Sequence, residues 1–258
     1  MSRSDPVRNK FYVPLERADW ASDMLFYIGA SLSIAVLFVE KATHPILYNV
    51  VMILFAVSVV ALFGVGLATR VYFGPRATDQ RTRDFLSSAY GVKLNYVVTD
   101  GYYNNTLHEP TERLAAQVLE NTHFSKAIAQ EMAKAERIKF GVYVVLWLIC
   151  LLARQVSLDF ILAASQAVLS EQMISKWVRL EWLRSRCEHI YNDVYALFQL
   201  RSSGNMFDAR VFEAFATYES VKANAATTLS GKIFEKKNSD LSSEWNEIKS
   251  ALAIEQSP

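Results

Sequence analysis

Between Lys41 and Arg70 the chain carries no Asp, Glu, Lys or Arg, and Ile46 to Thr69 is almost wholly apolar. As a helix rising ~1.5 Å per residue, such a run is ~36 Å long and exceeds the ~30 Å hydrocarbon core of a bilayer. A transmembrane helix with some tilt is therefore its expected structure. Of the 258 residues 52% are hydrophobic, and they are concentrated in a few runs while the remainder is dense in charge. That pattern implies a membrane protein with sizeable aqueous parts.

An earlier apolar run, Ala21 to Val39, holds Asp23 as its only charge, with Trp20 at its edge as an interfacial aromatic would stand. Gly29 and Ser33 lie four apart on one face, where a second helix could approach closely; ordinary composition explains the pair as well. Glu40, Lys41, His44 and Pro45 form a short polar link, so residues 21–70 are expected as an antiparallel transmembrane hairpin. Arg3, Arg8, Lys10 and Arg17 precede it and Arg70, Arg76, Arg81 and Arg83 follow, against Lys41 alone in the link. The positive-inside rule then puts both flanks, and with them both termini, in the cytoplasm of an inner-membrane protein. The charged N-terminus, with no small-residue cleavage site before the next run, does not read as a cleavable signal peptide.

A second hairpin is expected over 140–176. Its apolar run, Phe140 to Ser170, is interrupted by Arg154 and Asp159, which would flank a tight turn between two short spans. Phe140 to Arg154 rises only ~22 Å, so Arg154 at one end and Lys139 or Arg137 at the other would have to snorkel. A helical hairpin buried in a soluble domain is the alternative that runs this short leave open. Asp159, Ala163, Gln166 and Ser170 fall at i, i+4, i+7 and i+11, one helical face, and are candidate pore-lining residues. Equally, Asp159 could cap the helix while Gln166 and Ser170 hydrogen-bond across a helix pair.

The aqueous parts are then an N-terminal segment, 1–20, an insert, 71–139, and a C-terminal region, 177–258. In the insert, Asp79 to Tyr90 is helix-compatible, Val92 to Thr99 has strand-like content, and Asp100-Gly101 marks a turn. Tyr102, Tyr103, Asn104 and Asn105 follow as candidate ligand- or partner-sensing residues, since paired tyrosines can stack on a ring while asparagines read its edge. A turn packed by its own tyrosines is the alternative. Pro110 fits the first position of a helix, and a further helix from about Ser125 is expected to run on into the third span. C-terminally the pattern predicts helices over Val178 to Leu200, from an Asp208 cap, and from an Asp240 cap. The expected class is mainly α: a multi-pass membrane protein with two transmembrane helical hairpins and a helical cytoplasmic domain containing a short β element.

Chemistry-bearing motifs are missing from the sequence. His44, His108, His123 and His189 share no zinc spacing, although Glu120 and His123, one turn apart, leave a folded metal site conceivable. No P-loop, dinucleotide fingerprint or G-x-S-x-G occurs. Cys150 and Cys187 form no C-x-x-C, and apolar neighbours make Cys150 an inert thiol. No enzymatic activity, metal or cofactor is expected. A net charge of +1 with interspersed signs gives no footprint for a nucleic-acid polymer. The expected partners are the lipid bilayer and further copies of the chain. A non-conducting scaffold or receptor subunit that recruits a cytoplasmic partner is the second functional reading.

Two apolar hairpins around a cytoplasmic insert, the charged helix Arg76 to Tyr90, the short hairpin Phe140 to Ser170 and the tail segment HIYNDVYALFQLR, His189 to Arg201, carry a likeness in layout. In this the chain resembles the four-transmembrane pore-forming effectors associated with bacterial cyclic-oligonucleotide defence systems. The resemblance implies an oligomer that opens a pore or disrupts the inner membrane when its cytoplasmic domain is activated. It also implies a cyclic nucleotide or nucleotide-signalling partner, and arrest of the infected cell as the outcome.

Overall fold

The computed structural model describes residues 5–96, 99, 107–152, 158–168, 171–201 and 203–254, and all the regular structure among them is helical. A π-helical turn, Arg8–Tyr12, leads into α1, Val13–Val36. Then α2, Pro45–Ala68, passes through a second π turn, Thr69–Phe73, into α3, Gly74–Tyr90. The remaining helices are α4, Pro110–Leu152; α5, Leu158–Val168; α6, Glu171–Gln199; α7, Asn205–Ala225; and α8, Gly231–Leu252.

The Gly74-Pro75 pair reads as a helix boundary, yet the helix runs straight through it. A proline inside an α-helix clashes with the carbonyl four residues back and removes one hydrogen bond. Here the Gly74 N–H donates to the Thr69 carbonyl five residues back, which widens the turn ahead of the proline. A Cβ on Gly74 would lie 3.0 Å from that same carbonyl, a tight contact that the glycine avoids. Arg8–Tyr12 repeats the device ahead of Pro14, with the Val13 N–H donating to the Arg8 carbonyl.

The polar halves of the helices build one core. Phe85 of α3, Leu114 and Leu119 of α4, Leu180 and Val194 of α6, Val211 of α7 and Trp245 of α8 are all essentially inaccessible to solvent and belong to one apolar cluster. Each such side chain contributes roughly 1.5–3 kcal/mol by leaving water. Along α4, Trp147 meets Ser165, Phe140 meets Trp177, Arg137 meets Glu181 and His123 meets Tyr191. As the α4 number falls the partner's number rises, so α5 and α6 keep a single antiparallel register along α4. A smaller cluster of Val7, Phe11, Leu15 and Ala77 packs the two π-turn regions together.

Beyond Phe140 the side chains stop being buried: Val142, Val145, Leu146, Leu148, Ile149, Leu151 and Leu152 are all exposed. So are Ile46, Val50, Ile53, Val57, Val60, Phe63 and Leu67 of α2. Among the described residues one helix, Pro45–Tyr90, is long and apolar enough to cross a membrane. The first run ends sooner than its composition suggests, because the chain turns at Leu37 to Val39.

Several expectations are corrected. The described part of 92–99 holds no strand: Val92 to Asn95 is irregular, with the Leu94 N–H donating to Ser87 Oγ (3.1 Å) and Asn95 Nδ2 to the Gln80 carbonyl (3.3 Å). No neighbouring strand among the described residues offers these groups a ladder. Val97, Val98, Asp100 and Gly101 lie outside the described residues. The two helices expected after Pro110 are one, since Asn121 to Phe124 continues the helix, buried against its neighbours. Asp208 sits inside the first turn of α7, which Gly204 caps. Asp240 sits in mid-helix, because α8 starts at Gly231 where Ser230 Oγ accepts the Ile233 N–H (3.4 Å).

Candidate functional site, a mixed-charge cleft

Beside the polar ends of α1 and α2 lies a cleft of about 1170 Å³. Its walls come from the N-terminal turns, the start of α3, the middle of α4, the end of α7 and the link into α8. Arg8, Arg70, Arg81 and Lys222 line it, and so do Asp5, Glu16, Asp19, Asp79 and Glu120. With charges so nearly balanced, the cleft is not built to select a bare polyanion.

Arg81 anchors one wall. Its Nη2 donates to both oxygens of Asp5 (3.0 and 2.7 Å), its Nη1 lies 3.6 Å from Asp84, and its guanidinium covers the Tyr12 ring. Asp84 is buried and accepts the Thr99 hydroxyl (2.8 Å). Burial pushes its carboxyl above the usual range, against the opposing pull of Thr99 and Arg81. On the facing wall Lys222 donates to Glu219 (2.6 Å), which also accepts the Thr82 hydroxyl (2.6 Å). The same ammonium covers the Tyr218 ring, and loss of water around it lowers its pKa although Glu219 opposes the shift. Asp19 is likewise raised by burial, with Thr228 hydrogen-bonded to it from the α7–α8 link. Trp245 closes the floor, fully buried, and its Nε1 has no hydrogen-bond partner among the described residues. An acceptor entering the cleft would meet that donor, whose burial unpaired costs about 1–3 kcal/mol.

A charged belt ties the cleft to the apolar helices. Lys176 of α6 bridges Asp23 of α1 (2.7 Å) and Glu136 of α4 (3.8 Å), and Lys139 pairs with Glu136 (3.1 Å) while covering the Tyr27 ring. At the opposite end Phe38, just past α1, meets Phe160 of α5 edge to face. Thus α1 packs beside α4 and α6 at the charged belt and beside α5 at its other end. Gly29 of α1 settles its own two readings: it is buried against α2, where an added Cβ would lie 3.1 Å from Ser58 Oγ, a close helix approach.

Of the candidate pore-lining residues, Asp159, Ala163 and Gln166 lie on α5, with Asp159 exposed in its first turn. Ser170 lies outside the described residues, as do Tyr102, Tyr103, Asn104 and Asn105. Among the described side chains Trp147 Nε1 of α4 donates to Ser165 Oγ of α5 (2.8 Å). Among the described residues no group of three or more His, Cys, Asp or Glu could hold a metal. His123 faces the Glu244 carboxylate of α8 instead (3.4 Å). The Cys187 thiol is pushed up to about 12 by burial, which removes it as a nucleophile. Sequence reasoning missed the cleft residues because their partners are remote: Arg81 and Asp5 are 76 positions apart and Thr82 and Glu219 are 137 apart. The one local signal was Asp84 a turn beyond Arg81. Comparison with protein-family models, with curated proteins and with solved structures finds no match to this chain.

Proposed function

We propose that the chain is a multi-pass membrane effector that assembles as an oligomer. It opens a pore or disrupts the inner membrane when its helical domain, on the cytoplasmic side, is engaged at the cleft. The observation that carries this reading is the short apolar stretch of α1 beside the one long span. Asp23 to Val36, the apolar part of α1, rises only about 20 Å before the chain turns at Leu37 to Val39, against ~30 Å of hydrocarbon. Segments so mismatched thin the bilayer or gather with copies of themselves. The exposed apolar side chains of α4 support the second of these, being more than one partner helix covers.

Coupling from the cleft follows from unbroken helices. Pro45–Tyr90 and Pro110–Leu152 each begin or end in exposed apolar sequence and continue into the walls of the cleft. A shift of either wall is carried into the apolar layer by a rod, not a hinge. The setting in antiviral defence, and a nucleotide signal as the activator, rest on the resemblance in layout.

Expression in bacteria with a membrane-potential dye tests the proposal. Wild-type chain depolarises the membrane, and Gln166→Leu together with Asp159→Ala reduces the response. A chain that inserts but never depolarises defeats the pore reading and leaves the recruiting scaffold. Depolarisation unchanged in both variants keeps the effector and removes the α5 face from its path.

A further inference from the structure

Between the two π turns lies a second, smaller pocket of about 350 Å³. Its lining includes Lys10, Phe11, Tyr72, Arg76 and Tyr96, and none of its lining residues is acidic. Lys10 lies over the Tyr96 ring (5.3 Å). Arg76 hydrogen-bonds Tyr72 Oη and covers the Phe11 and Tyr72 rings (5.4 and 5.5 Å). Both cations are exposed, and no carboxylate among the described residues pairs with either. That differs from the mixed-charge cleft, where carboxylates face the cations. Two cations with no carboxylate partner among the described residues, two phenols and an aromatic floor fit a ligand with a compact negative charge and an adjoining apolar part.

Position says what that ligand is. Tyr72 lies four residues beyond the end of the apolar helix Pro45–Ala68, about 6 Å further along the axis. The headgroup zone on each side of a bilayer is about 5–7 Å deep. Helical side chains lean toward the N-terminus, and the Arg76 bond to Tyr72 carries its guanidinium back toward the apolar helix. Leu67 and Val71, exposed on the same helix, continue from the pocket into the apolar layer. We infer that this pocket binds the phosphodiester headgroup of an anionic phospholipid, with Lys10 and Arg76 on the phosphate and the acyl chains along α2. The inference rests on the membrane location proposed above and is independent of whether the assembly conducts.

The test uses full-length protein in neutral detergent, with bound lipid counted by native mass spectrometry during titration with phosphatidylglycerol or phosphatidylcholine. Wild type binds phosphatidylglycerol in preference, and Lys10→Gln or Arg76→Gln each lowers that affinity about fivefold while phosphatidylcholine binding stays level. Arg83→Gln, an exposed arginine already paired with Asp79, leaves it unchanged. Equal phosphatidylglycerol binding by wild type and the double variant overturns the site. Displacement of the lipid by equimolar inorganic phosphate overturns the lipid source and makes this a free-phosphate site. Flotation with phosphatidylcholine vesicles separates the two readings. A chain that does not float overturns both the membrane location and the site, whereas one that floats without headgroup preference overturns the site alone.

Discussion

Arg81 holds the N-terminal turns to the start of α3 through Asp5 and Asp84, in surroundings where its side chain is 12% exposed and theirs 16% and 3%. Removing one partner of so buried a group leaves charges that neither water nor protein compensates, and costs about 3 kcal/mol. Arg81→Gln is therefore expected to lower stability by about that amount and to free the segment before α1, which limited proteolysis within residues 5–12 would report. Loss of stability with no new cleavage would mean that Val7, Phe11 and Leu15 hold the segment on their own. The spacing of Arg81 and Asp84 is visible in the sequence, but the pairing with Asp5 is not, because Asp5 and Arg81 are two charges among many. Residue type did reveal the awkward polar groups of the apolar runs, Asp23 and Asp159, but not which found a partner: Asp23 is paired with Lys176 and Asp159 is exposed.

Helix existence was legible element by element from apolar spacing, and helix ends were not. The ends of α7 and α8 explain why. Both stop in the left-handed conformation on an alanine, Ala226 (φ 45°) and Ala253 (φ 55°), where the usual signal would be glycine. At Ala253 the following N–H, of Ile254, donates to the Lys249 carbonyl (3.0 Å) and the buried Ile254 side chain locks the turn. Tertiary packing thus overrides a local cost of about 1 kcal/mol. Ala253→Gly removes the cost, and thermal unfolding should shift upward by about 2–4 °C; an unchanged or lower midpoint would show that the methyl packs usefully. The π turns make the same point, since each carries the helix on past a proline, Pro14 and Pro75.

At the scale of the molecule, His123 joins three helices. It stands on α4, 3.4 Å from Glu244 of α8 and 6.0 Å from the Tyr191 ring of α6, with Lys126 over that ring. Burial and Lys126 lower its pKa below the ordinary 6.5, and Glu244 only partly opposes them. A depressed value in the folded state means that its contribution is present above pH ~6.5 and is lost as pH falls through the folded value. The melting temperature should drop between pH 7.5 and 5.5, and His123→Gln should flatten that slope. An equally steep slope in the variant would place the acid sensitivity elsewhere.

The charge-free run alone required one helix able to cross a membrane, because a backbone in hydrocarbon has to satisfy its own hydrogen bonds and a helix does so locally. Periodicity likewise required a helical class, because that information is also local. Which helices pair, and which charges find a partner among the described residues, were decided only by the tertiary structure. Those properties depend on contacts such as Lys176 with Asp23, 153 positions apart, and no local pattern encodes a partner at that distance.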